Sequence, residues 1–235
     1  FTIVRRNEQG GFDAIPYAKD PVFGPRMGKL GKHLREAAKH TSHPSLRNFL
    51  LARAAAFIAD DPFPYDDSDY LWIGLDGDWE VTVGPYEVYK NPRQTKARFE
   101  MFFGRVAPEV TAALAPLRAR LQEMEGRVAA LVGEEIYTPR TLDPRIAVRA
   151  MDVWYAAGDG RNPQGATAAF HLPNRGKSVD EGLYKKVMLA NHMEAFAPIM
   201  KARGDEILHP SLRPYVSAHA DIMNTTFHEF CHGFG

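Results

Sequence analysis

Apolar residues recur at steps of three and four in several stretches of the chain, the spacing that gathers them on one face of a helix. Leu30, Leu34 and Ala37/Ala38 do so over 28–40. Leu46, Phe49, Leu50, Ala54, Phe57 and Ile58 do so over 42–59, with Ser42 or Ser45 as the expected N-cap. Leu114, Leu117, Leu121, Met124, Val128 and Leu131 predict a long amphipathic helix over 108–132, kinked or broken at Pro116. Helices are also expected over 94–103, 192–207 and 214–232. Strands are expected over 70–75 and 79–83, joined by a hairpin turn at Asp76-Gly77-Asp78, and over 145–155 and 166–172, separated by a Gly/Asn/Pro loop. The stretch 183–190 fits neither period.

This order of elements predicts an α+β fold. The expected division is an extended lead-in over 1–26, a mixed helix and strand lobe over 27–105, and a helical segment over 106–144. A second strand segment of the mixed lobe (145–191) and the start of a helical lobe (192–235) follow. Composition narrows the class further. Lys plus Arg equals Asp plus Glu at 29 each, so no net charge draws the chain to nucleic acid or an anionic membrane. No apolar run reaches the roughly 18–20 residues that span a bilayer. A single cysteine, Cys231, excludes an internal disulfide. The first residue is Phe1 and no signal peptide is visible, which leaves the compartment open.

The chemistry is concentrated at the end of the chain. His228-Glu229-Phe230-Cys231-His232 is an H-E-x-x-H motif. On a helix, positions i and i+4 share a face, so His228 and His232 can place two imidazoles on one zinc ion. Glu229, a quarter turn away, reaches a zinc-activated water as general base. The uncharged flanks Thr225, Thr226, Phe227 and Gly233, with the stripe Ala220, Met223, Phe227 and Phe230/Cys231, predict a helix held in a core. Cys231 reads as a small buried hydrophobe rather than a sulfur ligand. A catalytic zinc needs a third protein ligand. His192, Glu194 and His219 are available upstream, while zincins usually take it from downstream. The ending H-E-x-x-H-x-x-G also opens the metzincin pattern, whose third His would fall three positions beyond Gly235.

Four segments in order sharpen this reading. Gly84-Pro85-Tyr86-Glu87-Val88-Tyr89, Ala169-Phe170-His171-Leu172-Pro173-Asn174, Lys185-Lys186-Val187-Met188-Leu189-Ala190-Asn191 and Phe227 to Gly235 resemble successive segments of the dipeptidyl peptidase III family of metallopeptidases. The bacterial and plant relatives with the short H-E-x-x-H form are the nearest in pattern. The resemblance implies a zinc-dependent peptidase acting on peptides from the amino terminus, with His228 and His232 as zinc ligands and Glu229 as base. It further implies that Glu87 binds the substrate's free amino group, that Tyr89 stabilises the oxyanion, and that Asn174 and His171 hold the substrate backbone. His171 stands where the family usually has Asn, exchanging an amide's adjacent donors and acceptor for an imidazole's one of each.

The implied architecture is a mostly helical zinc-binding lobe beside a smaller mixed lobe with antiparallel strands. The chain would be an N-terminal portion of that larger fold, and a Glu beyond it would complete the site. Such a portion alone would bind zinc weakly and catalyse little. Some relatives carry a Nudix-type phosphohydrolase module, but its G-x5-E-x7-R-E-x-x-E-E pattern does not occur here. Two other readings stay open: a peptide-binding relative without turnover and a metzincin-type endopeptidase.

Overall fold

The computed structural model describes residues 2–87, 93, 97–133, 135–161 and 167–234, Glu87 as backbone alone. A hairpin of β1 (Thr2–Arg6) and β2 (Phe12–Pro16) comes first, so the lead-in is not simply extended. The helices α1 (Gly24–Lys39), α2 (Pro44–Ala56) and α3 (Asp66–Ile73) follow. Next come β3 (Trp79–Glu87), β4 (Arg98–Val106), α4 (Pro108–Ala119), α5 (Leu121–Val132) and β5 (Ala147–Gly158). The chain then forms β6 (Ala169–Leu172), the single turn α6 (Lys177–Asp180), β7 (Lys185–Leu189), α7 (Ala190–Ile207) and α8 (Ala218–Cys231). None of these helices is long and apolar enough to cross a membrane.

The fold is α+β. Its main sheet runs β3-β4-β5-β7-β6, antiparallel except for the parallel pair β5 and β7. Antiparallel strands are as expected, and the parallel pair makes the sheet mixed. The sheet curls strongly, since Phe102 on β4 stacks on Phe170 on β6 at 5.5 Å across two intervening strands. Strand side chains alternate in direction, and one core takes each side. Trp72, Phe102, Phe170, Val187 and Leu189 join the core shared with α1–α3. Val148, Ala150, Tyr184 and Met188 pack on the other side with Leu114, Leu121, Met193 and Phe230 from α4, α5, α7 and α8.

Several expectations are corrected. Residues 70–73 belong to α3 and 74–75 follow its end, so no strand forms there. Asp66, Asp67 and Asp69 fill the first turn, where the helix dipole favours negative charge. Asp76-Gly77 therefore links a helix to a strand, with Gly77 at φ 84°. Residues 98–103 form a strand rather than a helix, because Glu100 and Phe102 turn one way and Phe99, Met101 and Phe103 the other and both faces are covered. The long helix breaks at Arg120, four residues after Pro116. Its stripe is only half used: Leu114 and Leu121 are buried, but Leu131 is exposed and Glu125 is buried instead. The cap of α2 is His43, without a side-chain bond.

The unassigned stretch is β7, buried at every position although it begins Lys185-Lys186. Lys185 turns toward Trp72. Its Nζ donates to the Trp72 carbonyl at 3.1 Å and to Glu80 at 2.8 Å. Glu80 also accepts from Trp72 Nε1 at 3.0 Å and from Arg149 at 3.4 Å. Burial pushes the Lys185 ammonium down to about 8. Lys186 turns the other way, to α8. The last motif residue, Asn191, bonds both backbone groups of Val153 at 2.9 Å, prolonging the β5–β7 ladder into the first turn of α7.

Candidate metal and peptide site

Ser217 caps α8 by accepting from Ala220 N at 3.2 Å. The buried stripe is Ile222, Thr226 and Phe230, with Thr226 bonded back to the Ile222 carbonyl. The expected stripe through Met223 and Phe227 faces elsewhere, and Phe227 is exposed. Cys231 is exposed as well, correcting its reading as a buried hydrophobe, because it lies a quarter turn from Phe230. This rotation sets His228 and His232 at the surface of a cleft and Glu229 at its buried wall.

The two imidazoles meet Nε2 to Nε2 at 3.0 Å with their rings nearly perpendicular. Two nitrogens at about 2.0–2.1 Å from a tetrahedral zinc would lie roughly 3.3 Å apart, so the pair is set for a shared cation. Glu229 Oε2 is buried and has no hydrogen-bond partner among the described residues. Such an orphaned acceptor is costly unless the site supplies a donor. Burial raises the Glu229 pKa against the lowering effects of His228 and Lys186. Burial lowers that of His232, keeping its imidazole neutral and available as a donor to metal. Among the described residues these three are the sole His, Cys or carboxylate group able to gather on one ion. His192 instead bonds the Thr167 carbonyl at 2.9 Å, and Glu194 and His219 are exposed. None of the three supplies a third ligand.

The cleft wall opposite α8 is β6 and the segment that follows it. His171 and Asn174 line it with Tyr86, Glu100, His228, Glu229 and His232. The structure thus brings together five of the expected site residues. Glu87 lies at the end of β3, its backbone paired with Arg98, and Tyr89 lies outside the described residues. The strand end that leads to them is anchored by Tyr86, whose hydroxyl donates to Asp69 at 2.8 Å. Asp69 in turn takes a bond from the wholly buried Arg53. Glu100 and Lys186 were not expected from sequence. Glu100 sits in an aromatic run that hides its inward direction. The signal for Lys186 was a pair of lysines in an otherwise apolar strand.

The end of α8 is clamped. The Gly233 carbonyl accepts from Arg140 at 2.8 Å and lies 3.5 Å from the Tyr184 hydroxyl. Arg140 N donates to the buried Glu125 at 2.9 Å, which also bonds Tyr137. A Cβ on Gly233 would clash with the Tyr184 hydroxyl oxygen. Gly233→Ala is therefore expected to cost about 1–3 kcal/mol and to shift the adjacent His232. Thermal unfolding and a zinc titration check this, and a variant unchanged in both would contradict it.

No family model matches the chain. Nudix hydrolase 3 of Arabidopsis thaliana is 30% identical over 258 residues, covering 100% of this chain and 32% of that protein. The Nudix pattern does not occur in the present sequence. Among solved structures, dipeptidyl-peptidase III from Corallococcus sp. strain EGB is 36% identical with a TM-score of 0.85, covering 100% of this chain and 42% of its own. DPP III from Caldithrix abyssi is 32% identical with a TM-score of 0.81, covering 100% and 44%. The chain thus spans about a third of the curated relative and less than half of each solved one.

Proposed function

We propose, from the chain's resemblance in sequence and in fold along its whole length to the dipeptidyl-peptidase III structures, that it supplies the metal-binding helix and the peptide-holding strands of a zinc-dependent peptidase acting on short peptides from the amino terminus. The observation that carries this is the pairing of His228 and His232 at 3.0 Å beside the unpartnered Glu229 oxygen, in one cleft with His171 and Asn174. A zinc ion held by the two Nε2 atoms would supply Lewis-acid polarisation of the scissile carbonyl and a bound water ionising near pH 7.

Glu229 would take a proton from the attacking water and return it to the leaving amine, a task suited to a carboxylate whose proton affinity burial has raised. β6 is an edge strand of the sheet, so an extended peptide can add to it by main-chain hydrogen bonds. His171 and Asn174 bind that backbone. Glu87 pairs with the substrate ammonium, Glu100 adds a second carboxylate to the cleft, and Tyr89 donates to the oxyanion. The third protein ligand comes from the part of the two-lobed fold that this chain does not span.

The test uses the full-length protein and a tetrapeptide with a free or an acetylated amino terminus. Dipeptide release from the free peptide is expected, abolished by a chelator. Acetylation should lower kcat/KM about 10–100-fold, the worth of one charge-assisted bond. Equal cleavage of the two peptides would sink the amino-terminal reading. Chelator-insensitive binding without cleavage would replace it with a peptide-binding protein, a reading that the imidazole of His171 in place of an amide favours.

A further inference from the structure

Lys186 is wholly buried and stands directly across the β6–β7 ladder from His171. Its Nζ donates to the Glu229 carbonyl oxygen in the last turn of α8 and lies 2.8 Å from His171 Nδ1. The ammonium also sits 4.7 Å over the Tyr184 ring and 5.8 Å over the Phe230 ring. His171 packs on Tyr184 at 4.3 Å between ring centroids and faces His232 at 5.8 Å. Lys186 is thus a bridge between the edge strand that borders the cleft and the helix that carries Glu229.

Resting on the peptidase reading, we infer that Lys186 is a positioning residue that fixes His171 as the Nε2–H tautomer, so that the ring offers the substrate backbone a donor and no acceptor. A carbonyl oxygen only accepts, so Lys186 must donate to Glu229. An ammonium has no acceptor, so in its contact with His171 the Nδ1 atom accepts. A neutral imidazole with an accepting Nδ1 carries its hydrogen on Nε2, on the far side of the ring from Lys186. Among the described residues Lys186 is the hydrogen-bond partner of this ring, and the ring lines the cleft. A carbonyl oxygen and two aromatic faces surround Nζ, a setting that suits an ammonium, and that positive charge 2.8 Å from Nδ1 keeps the His171 ring neutral. An amide at this position could rotate to present either a donor or an acceptor. The Lys186–His171 pair cannot, and it selects a peptide carbonyl at that point of the cleft.

The experiment is nitrogen NMR of the full-length, zinc-loaded protein labelled with 15N-histidine, at about pH 6, with His171→Asn assigning the resonance. The wild type is expected to show His171 as the neutral Nε2–H form. Lys186→Met should turn it into a mixture of tautomers and raise KM for a tetrapeptide about tenfold, the effect of one misdirected hydrogen bond, with kcat moved less. An Nδ1–H tautomer or an imidazolium in the wild type would overturn the assignment, whether or not the variant folds. So would an unchanged tautomer in a folded Lys186→Met protein. A protein that cleaves no peptide yet shows the Nε2–H form, lost in Lys186→Met, would end the peptidase reading and uphold the role of Lys186.

Discussion

Glu229→Gln in the full-length protein is expected to lower kcat for a short unblocked peptide by about 10²–10⁴-fold, the usual contribution of a positioned general base. The substitution keeps the shape of the side chain and leaves His228 and His232 in place, so zinc content and KM should stay near the wild-type values. The size of the effect follows from the surroundings. Oε2 is buried, it has no hydrogen-bond partner among the described residues, and it opens on the cleft that holds the two imidazoles. Among the described residues no other carboxylate gathers with that pair of imidazoles. A variant with full activity would remove Glu229 from the mechanism.

The largest effect on stability is expected at Glu80, on β3 of the sheet that carries the site. Its carboxylate is fully buried and is shared by Lys185, Arg149 and Trp72 Nε1. Glu80→Ala leaves the Lys185 ammonium buried without its counter-charge, which costs about 3–5 kcal/mol. A Glu80→Met, Lys185→Met double variant removes both charges and is expected to recover most of that loss, since a buried pair replaced by apolar groups is often near neutral. Thermal unfolding of the two proteins distinguishes the outcomes. A single variant as stable as the wild type would mean that Glu80 does not hold β7 to β3.

These two residues mark what the sequence makes legible and what it hides. Glu229 is announced by its neighbours, because H-E-x-x-H places two imidazoles on one face by helix geometry alone. The amphipathic helices at 28–40 and 42–59 are likewise visible in their spacing and occur as α1 and α2 with shifted ends, and the helix expected at 192–207 occurs as α7. Glu80 gives no such sign. Whether Glu80, Arg53, Glu100, Glu125, Lys185 or Lys186 is buried depends on a partner brought from elsewhere in the chain, and local pattern assigns all six to the surface. The same cause obscured two strands. In β7 the lysines break an otherwise apolar run. In β4 both faces are covered, so the alternation that marks a half-exposed strand is missing. In α3, Tyr70, Leu71, Trp72 and Ile73 have the composition of a strand, yet the three aspartates before them start a helix. The orientation of α8 differs by about a quarter turn from the one its apolar spacing suggests: Phe230 enters the core with Ile222, while Phe227 is exposed.

The proposed catalytic zinc on His228 and His232 is tested directly by the zinc content of the full-length protein after metal removal and reconstitution, read alongside peptide release from the same samples. The account predicts one zinc per wild-type chain, loss of that zinc and of peptide release together in His228→Ala and in His232→Ala, and retention of the zinc with loss of release in Glu229→Gln. Equal zinc in the wild type and both histidine variants, or undiminished peptide release without zinc, would contradict it.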